Sequence, residues 1–289
     1  MEQVKIAVIG GSGIYKLEGA TLLNKIKLTT PFGVPSEEIS ILKIGGKQVA
    51  FLPRHGRGHS LLPTEIPQQA NIWALKYLGV RFIIGISAVG SLKEEIAPCD
   101  FIIPSQLIDR TRHRPQSFFG DGIAGHVSLA YPFCDYLSAV LYNTIKDEGH
   151  RVHKNETYLC MEGPLFSTRA ESRLYKSWGA GVIGMTAVPE VMLAREAEIS
   201  YGLVAMSTDF DSWNEDQKAV TAGMVLENMK QNTANIKEYL PKMIARIEED
   251  RETPAHSAAA DAIVTDPDFF PLETRRRLEI FYGKYWSRI

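Results

Sequence analysis

The sequence predicts an α/β layer fold, and three observations carry that prediction. Short apolar runs of strand length alternate with longer amphipathic runs of helical spacing up to about residue 250. Several helical runs stop at a glycine, namely Gly79, Gly149 and Gly179, as helices that return to a sheet commonly do. Nothing between the runs has the composition of a linker, and no internal repeat is visible. Residues 1–252 therefore read as one domain, and residues 253–289 as a C-terminal extension of unassigned role.

Taken in order, "VKIAVIGG" is a buried first strand that ends in glycines, and "VAFLP" is a second strand. "TEIPQQANIWALKYLG" follows as a helix, with Ile66, Ala70, Trp73 and Tyr77 at helical spacing and Pro67 in its first turn. "RFIIGIS" returns as a strand. "PFCDYLSAVLYNTIKDEG" is the next helix, "ETYLCME" a strand, and "TRAESRLYKSWG" a helix. "GVIGMT" and "YGLVAMS" are strands on either side of the helix "VPEVMLAREAE". The long helix around "AGMVLENMKQNTANIKEYLPKMIARIEED" carries Pro241, a site for a kink.

Composition narrows the function. A 289-residue chain that is 45% hydrophobic and 23% charged has ample material for a large soluble core. A formal net charge of −2 argues against a basic face for nucleic acid, so an anionic ligand would be held by a local site. Cys99, Cys134 and Cys160 are far apart and odd in number, which suits neither a disulfide framework nor a zinc site. No window approaches the roughly 20 apolar residues of a membrane span, and the N-terminus has no leader pattern. A cytoplasmic protein with no membrane contact is the expectation.

If the strands are parallel, the loops after them gather on one edge, where open α/β sheets bind ligands. "GGSG", "RHGRGH", "SAVGS", "EGPLFSTR", "GMTAVPE" and "STDFD" sit there. Small residues, hydroxyls and approachable backbone amides recur, with Arg54 and His55 as cationic partners, a set that suits an oxyanion. Each motif has a plainer reading. "GGSGIY" lacks the third glycine of a dinucleotide fingerprint and is also an ordinary tight turn. His55 and His59 have the spacing of helical zinc ligands, but Gly56 and Gly58 argue against a helix there, so no metal site is expected. Arg110, Arg112 and Arg114 read as a solvated or ion-paired loop in preference to a substrate clamp. Met185 and Phe166 have the character of core residues, and Asp209 and Asp211 that of turn formers.

In chain order, however, "IGGSGIY", "TPFGVPS", "RHGRGH", "QANIWALKYLGV", "GSLKEEIAPCDFIIPSQLIDRT", "RPQSFF", "EGPLFSTRAES", "WGAGVIGMTAVPEVMLAREAEI" and "MSTDFDSW" closely resemble the trimeric purine nucleoside phosphorylases, in their methylthioadenosine phosphorylase branch. The resemblance runs from about Ile6 to Trp213 and less distinctly through the helix that follows; beyond Thr253 no family pattern is recognised. It implies the nucleoside phosphorylase fold, a mixed twisted central sheet flanked by helices. It also implies a purine and methionine salvage reaction, phosphorolysis of methylthioadenosine, with inorganic phosphate as co-substrate and no other cofactor or metal.

By the same resemblance, Ser12, Arg54, His55, Ser87, Ala88 and Thr186 hold the phosphate. Phe166 stacks on the base, Met185 lies under the ribose, and Val89, Gly90, Thr208 and Asp211 complete the base end. Asp209 is the proton donor to purine N7, and His126 reaches the 5′ end of the nucleoside in a neighbouring subunit of a homotrimer. Residue types bear on the purine. A protonated aspartate donates to N7 and accepts from a 6-amino group, whereas a 6-oxopurine presents two acceptors there. Ser167 stands where the 6-oxopurine enzymes place glutamate. Two positions depart from the branch pattern: Gly184, where animal members carry asparagine, and Val89, where cysteine is common. The alternatives are a broader phosphorylase acting on adenosine, inosine, guanosine or methylthioinosine, and a non-catalytic nucleoside sensor. A calcium-dependent hydrolase is disfavoured, because "KIAVIGGSGIY" contains no carboxylate.

Overall fold

Every apolar run singled out above is a strand in the computed structural model, which describes residues 4–11, 19–214 and 222–286. The strands are β1 (Ile6–Gly10), β2 (Thr21–Ile26), β3 (Ile39–Ile44), β4 (Lys47–Pro53), β5 (Phe82–Ser91), β6 (Phe101–Arg110), β7 (Val152–Met161), β8 (Val182–Gly184) and β9 (Ser200–Asp209). The helices are α1 (Gln68–Tyr77), α2 (Asp135–Asp147), α3 (Arg169–Ser177), α4 (Ala187–Glu196), α5 (Ala222–Arg246) and α6 (Leu272–Tyr282). One mixed sheet runs β2-β3-β4-β1-β5-β8-β7-β6-β9, and β9 also pairs with β5. The strands from β5 through β8, β7, β6 and β9 thus close on themselves, so that β5 has partners on both edges.

Alternation along the strands builds two apolar layers. Ala7 and Ile9 of β1, with Ala50 and Leu52 of β4, join the layer covered by α1, α4 and α6, whereas Ile6, Val8, Val49 and Phe51 face α2 and α5. On α1 the buried residues are Gln68, Ala70, Asn71, Ile72, Ala74 and Leu75, while Tyr77, expected on the apolar stripe, is exposed and stacks on Trp73. Helix α5 continues through Pro241.

Three strands were not read from the sequence. β2 is almost wholly solvent-exposed and so carries no burial pattern, and β3 pairs it as the edge hairpin. β6 contains Pro104, whose missing N–H coincides with a shift of register against β7. Two expected loops are in fact strand. β5 continues through Ser87–Ser91 because β9 and then β8 pair with it to its end, and β9 itself runs to Asp209.

The residues after Thr253 fold back onto the same core. Phe281 packs on Phe118 with ring centroids 4.3 Å apart, Tyr282 stacks on Phe119 at 4.8 Å, and the Tyr285 hydroxyl donates to the buried Glu198 at 2.6 Å. This extension also grips the loop at residues 120–126. Gly125 bridges Ile263, the His126 N–H donates to the Ala262 carbonyl, and Arg277 pairs with Asp121. Replacing Phe281 with alanine should therefore destabilise the whole chain by about 3–5 kcal/mol, because the site cannot collapse around the lost ring. The check is the denaturant midpoint of the entire chain; a midpoint that does not move would detach the extension from the core.

Candidate active site

A gap in the sheet creates the site. β1 pairs with β5 only along Ile6–Ile9 against Phe82–Gly85, and β8 takes up the same edge only at Gly90–Ser91. Between these stretches the β5 edge facing β1 and β8 is left without a strand. Backbone groups of alternate residues point to the same edge of a strand. The Ile86 carbonyl is directed into the gap, where the Arg54 Nη1 meets it at 2.9 Å, so the Ala88 N–H points the same way. The Val89 carbonyl points oppositely and accepts from Thr208 of β9 at 3.2 Å.

Arg54 follows directly on β4 and is inserted beneath this gap, with only 2% of its surface exposed. Its Nε and Nη2 make a two-pronged ion pair with Glu190 at 2.7 and 2.8 Å, and Nη2 also reaches the Ile9 carbonyl at 3.3 Å. Glu190 is fully buried on α4 and accepts a third bond from the Tyr201 hydroxyl at 2.6 Å. Among the described residues, four of the five guanidinium N–H groups are thus directed at protein acceptors. The cation expected as a phosphate partner is thus also matched by a carboxylate. Sequence reading missed Glu190 because nothing in "TAVPEVM" distinguishes it from an exposed helix residue.

His55 is not a second cation. Burial, reinforced by the charge of Arg54, lowers its pKa from 6.5 to about 4. Its Nδ1 lies 2.9 Å from the Leu61 carbonyl, which places the proton of the neutral ring on Nδ1 and leaves Nε2 as an acceptor. The ring stacks on His59 at 4.0 Å. Among the described residues no group of three or more His, Cys, Asp or Glu is placed to hold a metal ion.

Hydroxyls converge at the gap. Thr186 is the N-cap of α4, yet its side chain makes no capping bond; its Oγ1 instead lies 3.0 Å from Ser87 Oγ. Both residues are buried. Two hydroxyls and the Ala88 N–H together make a site for an oxyanion.

Further along β5 the character changes from hydroxyl to carboxyl. Asp209 closes β9 opposite Gly90, and a Cβ built on Gly90 would come within 3.0 Å of Asp209 Oδ1. Burial raises the Asp209 carboxyl above the usual aspartate range, and the Asp211 charge acts in the same direction; hydrogen bonds from Thr208 and from the Asp211 N–H, at 2.7 and 2.8 Å, oppose it. Thr208 has one proton and two acceptors, Asp209 Oδ2 and the Val89 carbonyl. When that proton turns to Val89, Oδ2 is free to carry its own. Burial raises the Asp211 carboxyl as well, and this residue adopts a left-handed backbone at φ 46°.

Met185 follows β8 and folds its sulfur over Gly163, where a Cβ would approach within 2.5 Å. Its carbonyl is fixed by Arg114 Nη1 at 2.7 Å. Of Arg110, Arg112 and Arg114, expected in a solvated or ion-paired loop, Arg114 is the ion-paired one. Arg110 and Arg112 are exposed, but Arg114 is buried and also binds the Val188 carbonyl at 2.6 Å, the Glu162 carbonyl at 2.7 Å and the Glu162 carboxylate at 2.9 Å. Phe166 is 44% exposed and therefore not a core residue. His126 stands apart, exposed on the loop gripped by the C-terminal extension. Ser12 lies outside the described residues.

Comparison with known proteins gives the family and the fold. The sequence model of the phosphorylase superfamily matches residues 5–245. The chain is similar to an S-methyl-5'-thioadenosine phosphorylase of Geobacter sulfurreducens, at 50% identity over 99% of this chain and 100% of that protein. It is similar to one of Thermosynechococcus vestitus at 47% identity over 97% and 99% of the two chains. Among solved structures, a methylthioadenosine phosphorylase from an antarctic soil metagenomic library superimposes with a TM-score of 0.92 at 43% identity, covering 97% of this chain and 99% of the other. A Schistosoma mansoni methylthioadenosine phosphorylase in complex with adenine gives 0.81 at 34% identity, covering 86% and 93%.

His55 yields a direct test. Its folded pKa lies below the unfolded value, so it contributes stability above pH 6.5 that is lost as the pH falls toward 4. In NMR, the His55 Cε1–H resonance, identified by its loss in His55→Gln, should titrate with a midpoint near 4. A midpoint at the ordinary histidine value would mean that the ring is charged in the site at mildly acidic pH.

Proposed function

The chain belongs to the phosphorylase superfamily, and from that premise we propose that it cleaves 5′-methylthioadenosine by phosphorolysis, giving adenine and 5-methylthioribose 1-phosphate. The observation that carries this reading is the order of groups along β5. Oxyanion donors gather at Ser87 and Ala88, and a carboxyl raised in pKa by burial stands opposite Gly90. Three residues of strand span roughly 10 Å, room for a phosphate at one end, a ribose between and a purine at the other.

In the reaction the C1′–N9 bond breaks toward an oxocarbenium-like ribosyl group, and a phosphate oxygen forms the new bond to C1′. Ser87 and Thr186 hydroxyls, the Ala88 N–H and the remaining Arg54 Nη1 N–H hold the phosphate. The Ser12 side chain joins them in this reading, and the neutral His55 accepts from a phosphate hydroxyl through Nε2. The electron pair leaving with the purine is met by a proton passed from Asp209 to N7, and the same carboxyl accepts from the 6-amino group. Phe166 covers the base, Thr208 and Asp211 flank it with Val89 and Gly90, and Met185 underlies the sugar with its backbone fixed by Arg114. No cofactor beyond inorganic phosphate is called for.

The 5′ end is completed in trans. His126 projects from its own subunit on a braced loop, and in a homotrimer it reaches the neighbouring site. Alanine at His126 should raise the KM for methylthioadenosine and leave phosphate affinity nearly unchanged, in a protein whose mass by light scattering is three chains. A fully active monomer would exclude this arrangement.

Release of adenine should cease in phosphate-free buffer and survive a chelator; equal rates without phosphate would indicate a hydrolase. Asn at position 209 keeps the shape of Asp209 but leaves adenine mismatched in a dry site, so Asp209→Asn should lower kcat/KM for methylthioadenosine on the order of 10³-fold. The same amide donates to both acceptors of a 6-oxopurine, so methylthioinosine should be spared or improved. Wild-type activity should also fall on the alkaline side of the raised Asp209 pKa, where the carboxyl loses its proton, and Asp209→Asn should lack that limb. A substrate ratio that does not move toward methylthioinosine would remove Asp209 from the base.

A further inference from the structure

Two glycines near the gap leave space that distant phenols fill. A Cβ on Gly184 would meet the Tyr158 hydroxyl oxygen at 2.0 Å and Cζ at 2.7 Å; one on Gly85 would meet the Tyr201 hydroxyl oxygen at 2.0 Å. Both tyrosines are buried, and both hydroxyls end on the anion side of the site. Tyr201 donates to Glu190, which holds Arg54. Tyr158 reaches across from β7, passes over Gly184 of β8, and brings its oxygen 3.4 Å from Ser87 Oγ and within hydrogen-bond reach of the Thr186 backbone and side chain, Ser87 and Thr186 being themselves in contact. A phenylalanine would fill the same space with apolar contacts. The one atom that tyrosine adds is a buried oxygen, and burying it is unfavourable unless it has a partner.

We propose that Tyr158 is a positioning residue for the phosphate end of the site, its hydroxyl donating to Ser87 Oγ so that the Ser87 and Thr186 protons are both left for the anion. This rests on the phosphorolysis reading above. Burial pushes the Tyr158 hydroxyl up to about 12, so it remains a donor throughout the working range. Ser87 has a single proton with two competing protein acceptors nearby, the Ala88 carbonyl at 3.1 Å and Thr186 Oγ1 at 3.0 Å. A donor entering from the Tyr158 side occupies a lone pair of Ser87 and restricts its rotation. Gly184 is what admits the phenol in this chain, since a Cβ there would meet its oxygen at 2.0 Å.

The test compares wild type, Tyr158→Phe, Ser87→Ala and the double variant, with inorganic phosphate as probe in calorimetry and in the KM for each substrate. Tyr158→Phe should weaken phosphate roughly three- to tenfold, the scale of one neutral hydrogen bond, in both measurements. The KM for methylthioadenosine should stay within error, a split that general loosening of the fold would not produce. In the Ser87→Ala background the same substitution should have a clearly smaller further effect, because only its contact with Thr186 is left to lose; equal effects in both backgrounds would overturn the route through Ser87. Unchanged phosphate affinity in Tyr158→Phe, or an equal change in both KM values, overturns the proposal while leaving the function standing. A wild type that turns over without phosphate overturns the functional reading first, and this proposal with it.

Discussion

A guanidinium withdrawn from water sets the geometry of this protein. Arg54 sits at the end of β4 and is held by the Ile9 carbonyl of β1, the Ile86 carbonyl of β5 and the carboxylate of Glu190 on α4, which Tyr201 of β9 supports in turn. Four strands and a helix therefore meet at one charge. Such a pair adds little to net stability compared with apolar packing, but losing one partner leaves an uncompensated buried ion. Its value here is register. The arginine can satisfy these acceptors only if β5 stands at one height relative to β1, β4 and α4.

That height decides where the ladder opens. β1 stops pairing at Gly85, β8 begins at Gly90, and the free edge between them offers backbone donors to a ligand without a loop to carry them. The usual division, in which a rigid sheet supports mobile binding loops, is relaxed: several groups assigned to phosphate and base lie on β5 and β9 themselves. Elements with paired backbones hold side chains more precisely than loops do, which suits a reaction in which the protein mainly positions reactants and manages charge.

Much of this was legible in the sequence, for a physical reason. The unbroken apolar character of "IAVIG" and "VAFLP" is a local property, and so is the position of small and hydroxyl residues at strand ends; both survive being read without a third dimension. The exposed β2 gave no such signal, and Pro104 disguised β6. Arg114 was indistinguishable from Arg110 and Arg112, because what separates it is acceptors from residues 162, 185 and 188. Gly184 stood out only as a departure from the family pattern, and Gly85 carried no signal within "RFIIGIS". Their meaning is steric and comes from tyrosines elsewhere in the chain. Glu190 was hidden for the same reason: a buried charge is recognised by its partner, and the partner is 136 residues away.

The grip of the C-terminal extension on residues 120–126 has a consequence for the order in which the molecule is made. A chain that has emerged from the ribosome as far as Arg246 contains every strand of the sheet, and with it Arg54, Glu190, Ser87, Thr186 and Asp209. The loop bearing His126 still lacks the Ala262 carbonyl, the Thr265 hydroxyl that receives the Ala124 N–H, and Arg277 beside Asp121. Synthesis runs from N- to C-terminus, so the surface that carries His126 is braced only when the last segment has been translated and docked. Maturation of that surface is thereby tied to the arrival of residues 262–277.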